Sequence, residues 1–101
     1  MRDEIYNAMQ KDPKTLQERA LKLCEEAGEV AQAVLSATGA PGSAYKGLSM
    51  ADVREEAADA LIVAMAVLAQ ACDSREMFEM ELTRLVSEKC AKWQRTLDPN
   101  S

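Results

Sequence analysis

A chain of 101 residues with a net charge of −5 and no histidine is one small domain. It is too acidic for a nucleic-acid surface built on bulk positive charge, and without imidazole it has neither His-based catalysis nor the Glu-x-x-His pattern of di-iron bundles. Apolar residues make up 48% and aromatics only 4%, which suits closely packed helices.

Residues 1–11 are expected to form a short helix with Ile5, Ala8 and Met9 on one side. No apolar stretch follows Met1-Arg2-Asp3-Glu4, so no secretory leader is expected. Asp12-Pro13 marks a break. Thr15-Leu16-Gln17-Glu18 has the capping-box pattern and starts a helix near Leu16; Pro13 at a first helical position is the competing start. Leu16, Ala20, Leu23, Ala27, Val30, Ala31 and Val34 recur at three- and four-residue spacing, one apolar stripe on a helix running to about Thr38. Gly39, Pro41 and Gly42 end it. Residues 39–48 make a loop of small residues with Tyr45 and Lys46, either a mobile element or a plain connection.

Ser49-Met50-Ala51-Asp52 is a second capping box and opens a central helix to about Cys72. From Ala57 to Ala69 every residue is apolar except Asp59. The run is too short to span a bilayer, and a helix apolar nearly all round is expected to be buried nearly all round. Two other helices supply too few neighbours for that, so a homodimer or homotetramer is expected. Within such a helix Asp59 needs a cation or a basic partner.

Asp73-Ser74-Arg75-Glu76 is a third capping signal, and so tight a turn predicts near-antiparallel neighbours. The last helix is expected to reach Thr96 with Phe78, Leu82, Leu85, Val86 and Trp93 inward, before a frayed tail from Asp98 to Ser101. Cys24, Cys72 and Cys90 lack metal-site spacing and read as buried, reduced thiols of a cytoplasmic protein. The fold class expected is all-α: one domain over residues 1–101, with long antiparallel helices in a bundle completed by oligomerisation.

Two acidic clusters stand out, Glu25-Glu26-Ala27-Gly28-Glu29 and Glu55-Glu56-Ala57-Ala58-Asp59. Alone, the first reads as a solvated face in which Lys22 pairs with Glu26. Together, Glu26, Glu29, Glu56 and Asp59 would repel one another unless a cation is shared. Oxygen-only ligands select Mg²⁺ or Mn²⁺ rather than Zn²⁺, and Mg²⁺ on carboxylates completes its shell with water and phosphate oxygens. That chemistry calls for positive groups. Lys22 precedes Glu26 by one turn. Lys89 falls on the inner face of the last helix, to snorkel outward or to reach the acidic site, with Lys92 and Arg95 at its edge. Trp93 is a core anchor or a base-stacking platform.

The paired EExxE and EExxD sequences, with 25 residues between Glu29 and Glu55, resemble the motifs of the MazG-like nucleotide pyrophosphohydrolases. These share an all-α superfamily with dimeric dUTPases and phosphoribosyl-ATP pyrophosphohydrolases. Glu88 to Arg95 resembles the basic C-terminal helix of small members, and the likeness covers about residues 14–96. It implies Mg²⁺-dependent hydrolysis of a nucleoside triphosphate to monophosphate and pyrophosphate in a helical oligomer; the acidic charge and the short apolar run leave no nucleic-acid or membrane partner expected. By motif position Glu26, Glu29, Glu56 and Asp59 would be metal ligands and Glu25 the base, with Glu55 outside the ligand set. Lys22, Lys89, Lys92, Trp93 and Arg95 would bind substrate, and a partner subunit would complete the nucleobase pocket. A sister dUTPase or phosphoribosyl-ATP pyrophosphohydrolase shares that chemistry; a non-catalytic helical oligomerisation module is the reading from another class.

Overall fold

Three caps set where the long helices begin. In the structure, a computed structural model that describes residues 1–98 and Asn100, α1 spans Arg2–Lys11, α2 Leu16–Ala37, α3 Met50–Gln70 and α4 Arg75–Leu97. A single 3₁₀ turn, Ala44–Lys46, interrupts the α2–α3 loop, and the described residues contain no strand. Thr15 Oγ1 accepts from the Glu18 N–H at 3.1 Å while the Glu18 carboxylate accepts from the Thr15 N–H at 2.9 Å. That closed box starts α2 at Leu16 rather than at Pro13, and its hydrogen bonds hold the Glu18 carboxyl below its usual range. Asp52 accepts from the Ser49 N–H at 2.8 Å and from its hydroxyl at 3.1 Å. Ser74 Oγ accepts from the Met77 N–H at 3.1 Å, so α4 begins one residue later than the Asp73/Glu76 spacing suggests. Each such cap contributes about 1 kcal/mol.

α2 ends in a Schellman closure: the Gly39 N–H donates to Ser36 O and the Ala40 N–H to Leu35 O, with Gly39 at φ +74°. Only glycine takes that left-handed turn without strain. The loop is tied back by the Leu48 N–H, which donates to Ser36 Oγ at 3.0 Å. α2 and α3 then run antiparallel. Arg19 meets Gln70, Glu26 meets Glu56 and Asp59, and Ser36 meets Leu48, a register that descends on α3 as it climbs on α2.

The face that α2 turns to α3 is not its apolar stripe. Leu16, Ala20, Ala27, Ala31 and Val34 are exposed, and only Leu23 and Val30 are half-buried. Arg19, Glu26, Ala33 and Ser36 are buried instead, a rotation of roughly a quarter turn at 3.6 residues per turn. The polar edge of the helix occupies the interface because its groups find partners across it, and the stripe is left outward.

The core lies elsewhere, where α1, the C-terminal half of α3 and the first turns of α4 meet. Ile5, Tyr6, Met65, Ala69 and Phe78 form it, flanked by Met9, Leu68, Cys72 and Leu82. On α1, Tyr6 takes the buried place expected of Ala8, which is exposed. Tyr6 and Phe78 stack with ring centroids 5.8 Å apart, and the Arg75 guanidinium lies 4.7 Å above the Tyr6 ring. Arg75 also donates to Asp3 at 3.0 Å and to Asn7, fastening α1 to the start of α4. Cys72 is half-buried, and burial pushes its thiol up; Cys24 and Cys90 are exposed rather than buried.

α4 reads differently from its expected inner face. Phe78 is fully buried and Leu82 and Leu85 half-buried, but Val86 and Trp93 are exposed, Trp93 at 67%. Only the first turns pack on the core, so α4 diverges from α3 rather than lying along it. Leu61, Ile62 and Ala64 on α3 are left exposed as well, so one chain does not bury this helix all round. The molecule measures 46 × 45 × 22 Å, with a radius of gyration of 16.5 Å where a compact chain of this length has about 13 Å. Of the expected frayed tail, Pro99 and Ser101 lie outside the described residues. Among those described, no helix is long and apolar enough to cross a membrane.

Candidate metal centre

The antiparallel register brings the two acidic motifs together midway along the α2–α3 pair. One oxygen from each of Glu26, Glu56 and Asp59 lies within 4.8 Å of the other two. Three oxygens bound to one octahedral Mg²⁺ at 2.0–2.1 Å stand about 2.9 Å apart, or about 4.2 Å for a trans pair, so the cluster would draw in around an ion. The donor set, carboxylates only, is that of a hard cation.

Burial across the cluster is graded. Glu26 is buried, Glu56 half-buried and Asp59 exposed. Asp59 is therefore not the enclosed carboxylate that its apolar neighbours suggest, because in a single chain nothing covers that side of α3. The electrostatic cost settles on Glu56. Burial pushes its carboxyl above the ordinary value of 4.5, and Glu29, Asp59, Glu26 and Glu55 add to the shift by repulsion. Glu29 thus stands within electrostatic reach while lying outside the three-oxygen cluster, and it is exposed.

Lys22 provides the countercharge. Its ammonium lies 3.2 Å from Glu26 and 3.3 Å from Glu25, and these hydrogen bonds, Glu26 first, raise its pKa. Glu25 faces outward, with its side chain 61% exposed, and Glu55 is exposed too. Of the residues expected to bind substrate, Lys22 is at the cluster. Lys89, Lys92 and Arg95 border an open recess on α4, and Lys89 and Trp93 a second one with Leu85, Val86 and Cys90; neither recess includes a residue of α2 or α3. Lys89 is exposed rather than inward-facing, because α4 has left the body before reaching it.

Arg19, 7% exposed, is a residue that sequence reading missed. It precedes Lys22 by three and Glu26 by seven, so all three share a face; that register was the available signal. Comparison with family models, curated proteins and solved structures gives no match.

The shift at Glu56 fixes a sign. The folded protein holds that proton more tightly than the unfolded chain, so stability falls as pH rises from 4.5 through the raised folded value. Glu56→Gln should therefore melt higher than wild type in EDTA at pH 7, and the advantage should shrink as the pH approaches 4.5. Thermal melts across that range check it; a lower melting temperature for the variant at pH 7 would contradict the assignment.

Proposed function

We propose that the protein is a divalent-cation-dependent nucleoside triphosphate pyrophosphohydrolase of the MazG-like kind, releasing (d)NMP and pyrophosphate. The observation that carries this reading is the convergence of Glu26 from the first motif with Glu56 and Asp59 from the second. Glu29 is close enough to act on Glu56. These four would hold Mg²⁺, with Mn²⁺ as substitute. A divalent cation there supplies charge neutralisation for phosphate oxygens and a lowered pKa for water. Glu25, solvent-facing at the edge of the cluster, accepts the proton of the attacking water. Lys22, between Glu25 and Glu26, offsets phosphate charge.

The reading includes self-association. The chain exposes 7178 Å², against about 5,700 Å² for a folded monomer of its mass. The excess, about 1,500 Å², is of the size each partner buries in an obligate homodimer. Apolar faces contribute to it: the outward stripe of α2, and the groove between α3 and α4 bordered by Leu61, Leu68, Leu82 and Val86. A second copy also offers the route by which Lys89, Lys92, Trp93 and Arg95, remote from their own carboxylates, meet a substrate. Light scattering at micromolar concentration should give a dimer or tetramer, and Leu61→Asp with Val86→Asp should reduce its mass to the monomer's. A wild-type monomer with full helix content would remove this part of the reading.

The deciding experiment is a panel of canonical and modified nucleoside triphosphates with Mg²⁺, the products separated by anion exchange. Monophosphate and pyrophosphate are expected, not diphosphate and orthophosphate. If no nucleotide releases pyrophosphate, the enzyme reading fails. Release from dUTP alone, or from phosphoribosyl-ATP alone, identifies a sister enzyme built on the same carboxylates. The outward apolar faces favour a second reading, a non-catalytic oligomerisation module. Titration with Mn²⁺ separates the two, since a module has no reason to bind the ion.

A further inference from the structure

Lys22 holds one of the three clustered carboxylates by itself. Its ammonium stands 3.2 Å from Glu26 and 3.3 Å from Glu25. We infer that Lys22 is a resident counter-cation: it neutralises Glu26 in the metal-free protein, and a divalent ion must displace it, freeing it for the phosphates of the substrate. The inference rests on the cation-binding part of the pyrophosphohydrolase reading.

The need for such a group comes from Glu26. Its side chain is 12% exposed, and one of its oxygens lies within 4.8 Å of oxygens of Glu56 and Asp59. An enclosed charge thus faces like charges across the helix pair, an arrangement that calls for a positive partner. Among the described residues, Lys22 is the cation in ion-pair contact with this cluster. Arg19, three residues earlier on the same face, is committed elsewhere. Its guanidinium donates to Gln70 Oε1 at 2.6 Å and to the carbonyls of Met9 and Asp12 at 3.1 Å. That clasp fixes the end of the helix pair and cannot follow a change at Glu26.

Lys22 is free to follow one. Its side chain is 42% exposed, on a flexible four-carbon stem. It precedes both glutamates in α2, the weaker order for a helical ion pair. Glu26 is too enclosed to turn away, so a dication and the ammonium compete for one carboxylate, and their like charges repel. Lys22 then keeps Glu25, whose side chain is 61% exposed, and turns toward solvent, where a phosphate takes the place of Glu26. Cation and triphosphate thereby strengthen each other's binding, and by linkage each does so by the same factor.

The metal alone is the first probe. Lys22→Met keeps the stem and drops the charge. It should bind Mn²⁺ about five- to tenfold more tightly than wild type, as when a competent state populated about a tenth to a fifth of the time becomes the sole state. In wild type, Mg²⁺ should move the Lys22 Cε signal in NMR of the full chain toward its position in metal-free Glu26→Gln. In turnover, Lys22→Met should need less Mg²⁺ for half-maximal rate while KM for the triphosphate rises. Equal Mn²⁺ affinity in the two proteins, or weaker binding in the variant, would overturn the inference. So would a Lys22 signal that Mg²⁺ leaves in place, since charge would then act without displacement. Tighter Mn²⁺ binding and a moving signal, without hydrolysis of any nucleotide, would support the exchange and dismiss the enzyme reading. No Mn²⁺ binding by either protein would overturn both.

Discussion

Glu26→Gln, Glu56→Gln and Asp59→Asn are each expected to remove nearly all pyrophosphate release, and Glu29→Gln with them. The three clustered oxygens come from three side chains, so losing any one leaves too few donors to place a small octahedral cation. Neutralising Glu56 also relieves the repulsion that lifts its own carboxyl. That variant should lose both turnover and the gain in melting temperature that Mn²⁺ gives wild type, since a ligand that binds only the folded state stabilises it. Glu25→Gln should behave differently. Among the described residues its carboxylate pairs with Lys22 and lies outside the three-oxygen cluster, so cation and nucleotide binding should persist while the chemical step slows by about 10²–10⁴-fold. Lys89→Ala should weaken nucleotide binding with cation affinity intact. Mn²⁺ titration beside single-turnover product analysis separates these outcomes. Full activity in Glu25→Gln would remove the base assignment and leave the ligands standing.

Phe78→Ala is expected to cost about 3–5 kcal/mol, the range for truncating a buried aromatic. Phe78 has no exposed surface and sits where α1, α3 and α4 meet, stacked on Tyr6. A small domain has only about 5–15 kcal/mol in total, so the loss is a large share of it. Trp93→Ala is the contrast. With its ring largely in solvent, its removal should change the stability of a single chain by no more than about 0.5 kcal/mol and should act, if at all, on self-association. Denaturant melts of the two variants at equal concentration decide it. Similar losses for both would mean that Trp93 is covered in solution.

Much of the fold was legible because its punctuation is local. Thr15, Ser49 and Ser74 cap helices through side chains within three residues of their partners, and Gly39 closes α2 through its own φ. The meeting of the two acidic motifs was legible as well, since two long helices joined by one loop leave few other registers. What periodicity did not give was orientation. An apolar stripe marks a face that avoids water, but it does not say whether the same chain or another covers it, and on α2 the chain's own interface went to Arg19, Glu26 and Ser36. Asp59 is exposed in the single chain for the same reason, because its apolar neighbours face outward. Arg19 escaped notice because its partners are backbone carbonyls and Gln70, which carry no sequence signature.

The outer half of α4 has a thermodynamic consequence of its own. No side chain from Val86 to Leu97 is buried, so within one chain those residues answer mainly to helix–coil propagation along α4. Isolated helices shorter than about 12–15 residues are marginal in water, and this stretch buries no side chain within one chain. Its helicity should thus follow mass action: ellipticity at 222 nm rising with protein concentration, and amide protons beyond Val86 exchanging fastest in dilute solution. The basic residues beyond Val86 would then become fully ordered as copies of the chain find each other, making folding of that segment and assembly a single equilibrium.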